Sequence, residues 1–201
     1  MNIPFMVRSD IRSSTSLNAA ASNERELELL RRVAVHDRAA FEELYLIYHR
    51  RLARFLMRLT SRYEICEEIT NDTLWTVWKN ASAFRGASLV STWIMGIAYR
   101  HAMRTLRRSR RAAPVQDPDA MATQTDSAQG LAETREWLDR GLAELPFEQR
   151  MVMEFTYFLG HSCEEIAAIM DCPVNTVKTR MFHARRKLKL SLPRLADPQP
   201  Q

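Results

Sequence analysis

Six basic residues, Lys178, Arg180, Arg185, Arg186, Lys187 and Lys189, stand close together near the C-terminus with no acid among them. They lie in the stretch EEIAAIMDCPVNTVKTRMFHARRKLKL. Cations at this density suit a polyanion, and on a helix they suit the phosphates of a nucleic acid. The same stretch carries Val174, Val177, Met181, Ala184 and Leu188 at alternating three- and four-residue steps, which predicts a helix with one buried stripe. The stripe turns Asn175, Thr176, Lys178, Thr179, Arg180, His183, Arg185 and Arg186 outward. Just upstream, Ser162 and Glu165 have the spacing of a capping box. Ile166, Ala167, Ile169 and Met170 then give a short apolar face, and Asp171-Cys172-Pro173 breaks that helix before the basic one. A short helix, a tight turn and a second helix with a basic outer face make a helix-turn-helix pattern. Its first outward residues would meet base edges in a major groove, and the later Arg and Lys would meet phosphates.

A second basic stripe lies in a helix predicted from about Ser91 to Arg111. Arg100, Arg104, Arg107 and Arg108 share one arc of the helical wheel, and Ile94, Ala98 and Ala102 lie away from it. Trp93 falls on the basic side, beside the loop NASAFRGAS, where Gly86 is free to take a positive φ. Cations led by an aromatic suit strands that are separating, because unstacked bases need a flat face. The preceding helix, from about Tyr63 to Lys79, has the opposite character. Glu64, Glu67, Glu68, Asn71 and Asp72 cluster on it at helical spacing, with Ile65, Ile69 and Trp78 across the helix. That acidic face cannot serve DNA and points to a protein partner.

These elements need positioning, and charge along the chain shows how they group. Residues 37–111 carry 14 basic and 7 acidic side chains, 112–171 carry 3 and 12, and 172–195 carry 7 and none. Two basic blocks therefore flank an acidic middle. Between the blocks, AAPVQDPDAMATQTDSAQG has no periodicity and reads as a linker. Helical spacing of Leu27, Leu30, Phe41, Leu44, Tyr48, Leu52 and Phe55 starts the first block, after a Ser-, Asn- and Ala-rich arm. No useful β-alternation occurs. The expected fold is all-α, with two small helical domains joined by a flexible acidic linker.

Several function classes fall away. The glycines, at 86, 96, 130, 141 and 160, are too far apart for a phosphate-binding loop or dinucleotide fingerprint. His161, Cys163, Cys172 and His183 lack regular zinc-site spacing, so neither metal nor cofactor is expected. The sparse cysteines read as reduced thiols of a cytoplasmic protein, and the longest apolar run, LVSTWIMGIAY, is too short to span a bilayer.

The segment LAELPFEQRMVMEFTYFLGHSCEEIAAIMDCPVNTVKTRMFHARRKL resembles the C-terminal domain of extracytoplasmic-function (ECF) sigma factors, in which Leu-Pro-x-x-x-Arg precedes such a helix-turn-helix. The segments AFEELYLIYHRRLARFLMRLT, CEEITNDTLWTVWKN and FRGASLVSTWIMGIAYRHAMRTLRR resemble their promoter-melting domain. The resemblance covers about residues 37–192 and implies a region 2 domain over 24–111 and a region 4 domain over 134–195, joined by the linker over 112–133; outside it, composition gives a disordered N-terminal arm over 1–23 and a tail over 196–201. It implies a non-enzymatic initiation factor that binds core RNA polymerase, at its clamp helices and flap, and promoter DNA. On this resemblance Asn175 through Arg186 of the outward set read the −35 element. Phe84, Arg85, Ala87 and Ser88 of the loop, with Trp93, Arg100, Arg104, Arg107 and Arg108, read and open the −10 element. Glu64, Glu67, Glu68, Asn71 and Asp72 would dock on the clamp helices, and an anti-sigma factor is an expected further partner. The linker, with Asp117, Asp119 and Asp126, would thread the polymerase interior. The sequence departs from the family at Glu68-Ile69-Thr70-Asn71, where Asp-Leu-x-Gln is usual, at Leu74, and at Asn175 and His183. The alternative is a stand-alone helix-turn-helix regulator, which would bind duplex DNA as a free protein.

Overall fold

The computed structural model describes residues 7–60, 62–112 and 137–196. All regular structure among them is helical, as the periodicity predicts. The first unit comprises α1 (Val7–Ala34), α2 (Arg38–Leu56), α3 (Tyr63–Asn80), a short 3-10 turn (Ala81–Ala83) and α4 (Val90–Ala112). The second comprises α5 (residues 137–143), α6 (Phe147–Met153), α7 (Cys163–Met170) and α8 (Val174–Ala196). The linker expected over 112–133 lies, apart from Ala112, outside the described residues.

α1 begins at Val7, upstream of the expected helix start at Glu24 and within the span expected as an arm. It is separated from α2 by a break that the periodicity hides. His36 takes a left-handed φ of 63°, and the Asp37 side chain caps α2 by accepting from the Ala40 N–H at 3.2 Å. Arg32, bonded to Asp37 at 2.9 Å through Nε, is the first of the groups that lower the pKa of this carboxyl.

In the first unit Leu30, Val33, Leu44, Leu52, Ile69, Val77, Ile94 and Ala98 are essentially inaccessible. One polar network is buried with them. Glu26 accepts from the Tyr48 hydroxyl, from Arg51 Nη1 at 2.7 Å and from the Ser22 hydroxyl at 3.2 Å. Burial, then the neighbouring Glu26, raises the Tyr48 phenol well above its ordinary pKa, so it stays a donor.

The second unit is built around the stripe read from the sequence: Val177, Met181, Ala184 and Leu188 are buried and Val174 is half-buried. The capping box is present. Glu165 N–H donates to the Ser162 hydroxyl at 3.2 Å, and Ser162 N–H donates to Glu165 Oε2 at 2.7 Å. Asp171, at φ 51°, closes α7 in the left-handed region and starts the turn. Ser162→Ala should therefore cost about 1 kcal/mol in chemical denaturation, and Ser162→Asp should restore most of it. Two features depart from the periodicity. α6 runs into a π-helical turn over Glu154–Phe158, and α8 continues past Pro193 to Ala196. Leu192, just before that proline, is held from α5: its carbonyl accepts from Trp137 Nε1 at 2.8 Å, and its side chain fills the space a Cβ at Gly141 would need.

The two units share one apolar core. α4 lies on α7, and Phe55 of α2 stacks on Phe155 of the π turn with ring centroids 5.1 Å apart.

Candidate nucleic-acid interface

On α8, Asn175, Lys178, Thr179, His183, Arg185 and Arg186 are exposed, as the stripe requires, and Thr176 is half-buried. Arg185 is oriented by the π turn, donating through Nε to the Tyr157 hydroxyl at 3.0 Å. Arg180 corrects the expectation of an outward residue. It flanks the buried Val177, Met181 and Ala184, only a quarter of its side chain is exposed, and it pairs with Glu148 of α6. Its Nη1 also lies 3.6 Å from Cys172 Sγ. The step of three from Val177 already placed it beside the stripe. What was not visible was an acid 32 residues upstream waiting there.

On α4, Ile94, Ala98 and Ala102 are buried, and Arg100, Arg104, Arg107 and Arg108 are exposed. The loop before it folds back on the helix. Phe84 is half-buried against Trp93, with ring centroids 5.3 Å apart and the planes at 55°. Gly86 takes φ 72° at the bend, so the freedom expected of it is used. Arg85 and Ala87 are exposed and Ser88 is half-buried. Arg85 and Phe84 also line a hollow of about 300 Å³ against Leu27, Leu30 and Arg31 of α1. The loop and helix thus present a partly buried aromatic pair followed by a run of cations.

α3 shows the separate acidic face. Glu64, Glu68, Asn71 and Asp72 are exposed on one side, opposite the buried Ile65 and Ile69 and the half-buried Trp78. Glu67 departs from this set: it turns toward α2, where its Oε1 lies 3.4 Å from His49 Nε2. The sequence reading missed Trp75, one turn beyond Asn71 and Asp72, which is 56% exposed with Lys79 over its ring at 5.2 Å. A tryptophan left in solvent among acids was the available signal.

The described residues hold no cluster of three or more His, Cys, Asp or Glu that could bind a metal, and no helix among them is long and apolar enough to cross a membrane.

Residues 44–112 match the family Sigma-70 region 2, and residues 135–188 match Sigma-70, region 4. The ECF RNA polymerase sigma-E factor of Escherichia coli is 30% identical over 173 residues, covering 80% of this chain and 90% of its own. The chain belongs to the ECF sigma factors. SigM, the ECF RNA polymerase sigma factor of Mycobacterium tuberculosis, is 32% identical to this sigma factor over 166 residues, covering 81% of this chain and 82% of its own. In fold, this sigma factor is similar to RpoE from Bartonella quintana, solved with the anti-sigma factor NepR, at TM-score 0.61 and 22% identity, covering 80% of this chain and 98% of that one. It is similar also to CnrH, solved with the cytosolic domain of CnrY, at TM-score 0.63 and 23% identity, covering 84% and 97%. As a sigma factor it acts with core RNA polymerase in promoter-directed transcription initiation.

Proposed function

We propose that residues 24–111 form the unit that docks on core polymerase and reads and opens the −10 element, and that residues 134–195 form the unit that reads the −35 element. Residues 112–133 and 196–201 are its acidic linker and tail, and α1 carries residues 7–23, expected as an arm, into the first unit as helix. The observation that carries this reading is the separation of surfaces by charge. Exposed arginines of α4 and of α8 face outward from two units, while α3 turns Glu64, Glu68, Asn71 and Asp72 to solvent. Phosphates select the first kind of surface and exclude the second.

On α8, Asn175, Thr176, Lys178, Thr179 and His183 face bases, and Arg185 and Arg186 face phosphates. Arg180 reaches a base only after leaving Glu148, which sets its reach and orientation meanwhile. On the first unit, Phe84 and Trp93 provide the flat surface for an unstacked base, and Arg85, Ala87 and Ser88 line its approach. Arg100, Arg104, Arg107 and Arg108 hold the strand. The clamp helices of the polymerase take the acidic face, with Trp75 as its apolar anchor. The flap takes the second unit. An anti-sigma factor is a further partner, supported by the complex in which the similar RpoE was solved. The protein works in the cytoplasm, holds no cofactor and catalyses no reaction of its own.

Quantitative promoter binding by the reconstituted holoenzyme tests the assignment on α8. Arg180→Ala should cost ~1–3 kcal/mol on the preferred −35 sequence and less on its variants. Arg186→Ala should weaken every promoter alike and lower the salt slope by about one charge. Equal, sequence-independent losses for both would remove Arg180 from the base readers.

Acid sensitivity gives a separate check on the second unit. His161 beside Glu165 contributes most to holding its carboxyl down at about 2, with the Ser162 N–H and the Thr92 hydroxyl adding to this against the opposing effect of burial. A depressed carboxyl stabilises the fold above its ordinary pKa of 4.5 and loses that contribution as pH falls toward about 2. Glu165→Gln should therefore flatten the decline of thermal stability between those limits. An unchanged pH profile in the variant would contradict the assignment.

A further inference from the structure

The residue at the N-cap of α4 is a leucine, which cannot cap it. Leu89 holds that position because its carbonyl accepts the first bond of the helix, from the Trp93 N–H at 3.1 Å. Its side chain offers no acceptor to the free amides of the first turn. The neighbouring hydroxyls point elsewhere: Ser88 donates to the Leu89 carbonyl at 3.2 Å, and Thr92 donates to Glu165 Oε1 at 3.1 Å. Val90, the first residue of the helix, is 1% exposed, so its amide needs an acceptor within the protein. That acceptor comes from α1. Asn23 Oδ1 accepts from the Val90 N–H at 3.3 Å, from 67 residues upstream.

Asn23 is itself held in place by its helix. Ser22 and Glu26, on either side of it, belong to the buried network with Tyr48 and Arg51. Leu27 and Leu30 continue the same face of α1, and with Arg31 they back the loop across the hollow that Phe84, Arg85 and Gly86 line. The loop of residues 84–89 is thus fixed at two ends. At the first, the Phe84 N–H donates to the Ala81 carbonyl at 3.2 Å and the Phe84 ring meets Trp93. At the second, Asn23 ties the junction of Leu89 and Val90 to α1. Between the ends Gly86 is bent, and Arg85 and Ala87 are exposed. The two ends therefore decide where the loop stands against Trp93. Asn23 closes the span expected as a disordered arm, and no local pattern joins it to α4.

We infer that Asn23 is a positioning residue for −10 recognition. By accepting from the Val90 amide it sets where the loop joins α4, and so holds the Phe84–Trp93 pair ready for an unstacked base. The inference rests on the assignment of that pair to the −10 element. It gives α1 a part in promoter reading that needs no contact with DNA. A loop loose at one end has to be ordered as the base is captured, and that cost falls on the captured base alone. The arginines later in α4 and the residues of α8 stand on helices that Asn23 does not hold. Replacing a cap by alanine shifts an equilibrium about fivefold. An aspartate at the same place keeps the acceptor, and the positive end of α4 favours it.

Binding of the reconstituted holoenzyme to fork-junction DNA tests it. The probe is the promoter that gives the strongest run-off transcript, with its −10 region single-stranded and each non-template base there removed in turn. Wild type should bind intact DNA more tightly than DNA abasic at the captured position. Asn23→Ala should shrink that ratio about fivefold, by weakening the intact probe alone, and leave co-elution with core polymerase unchanged. Asn23→Asp should keep the ratio. Leu89→Ser, which gives α4 a cap of its own, should restore it in the Asn23→Ala chain. An undiminished ratio in Asn23→Ala overturns the inference, and so does an equal loss on intact and abasic probes, the mark of a merely structural role. A wild-type holoenzyme indifferent to every −10 base would instead overturn the assignment of the loop, and the inference with it. Hydrogen exchange of the free wild-type chain adds a check that needs no variant. The Val90 amide should be protected like the amides inside α4, and exchange as fast as that of the Ala87 amide would contradict the hold by Asn23.

Discussion

Reversing Glu68 and Asp72 together to lysine should abolish co-elution with core RNA polymerase while leaving the helical circular dichroism and melting temperature intact. Both residues are exposed on α3, and the buried side of that helix is supplied by Ile65, Ile69, Leu74 and Val77. Surface changes of this kind alter stability by only about 0.5 kcal/mol. Binding responds differently, because like charges forced together across an interface cost several kcal/mol. A loss of ~3 kcal/mol is more than a hundredfold in dissociation constant. Trp75→Ala should weaken the same binding without altering free-protein stability, since the ring is more than half exposed. Retained co-elution of the double variant would remove the docking role from α3.

The second large effect is on stability. Glu26→Ala should destabilise the first unit by ~3 kcal/mol in chemical denaturation. Glu26 is 3% exposed and is the common acceptor for Tyr48, Arg51 and Ser22. Removing it strands a fully buried phenol, a cost of about 1–3 kcal/mol. It also leaves the Arg51 guanidinium, over the Tyr48 ring at 5.2 Å, without its carboxylate. That part of the loss is tempered because Arg51 is about a third exposed and water can replace the carboxylate. Tyr48→Phe should cost less than Glu26→Ala, because it removes the donor and leaves Glu26 with Arg51 and Ser22. Equal losses in both variants would mean that the tyrosine bond accounts for the entire network.

These two results draw on features with different visibility in the sequence. The buried stripe of α8, the Ser162–Glu165 capping box and the apolar side of α4 are local patterns, each fixed by residues within a few turns of one another. They were legible for that reason. The acidic face of α3 was legible as a cluster, but the inward turn of Glu67 toward His49 depends on how α2 lies on α3. The Glu26 network was hidden in the same way, since Tyr48 and Arg51 stand 22 and 25 residues away. Arg180 shows the limit most clearly. Its position on α8 could be read, but its partner Glu148 belongs to a different helix. The break at His36 and Asp37 was missed because the apolar spacing of α1 continues across it into α2. Phe155 looks like any core residue in the sequence; only the packing shows that part of the core it fills belongs to the other unit.

Run-off transcription from a genomic fragment library, with purified core polymerase and this chain added or omitted, tests the central claim most directly. Discrete transcripts that require the chain are expected, and alignment upstream of their starts should reveal two separated elements, one for each unit. An absence of chain-dependent transcripts, together with tight binding of the free chain to duplex DNA without polymerase, would contradict initiation by this protein and leave a stand-alone helix-turn-helix regulator in its place.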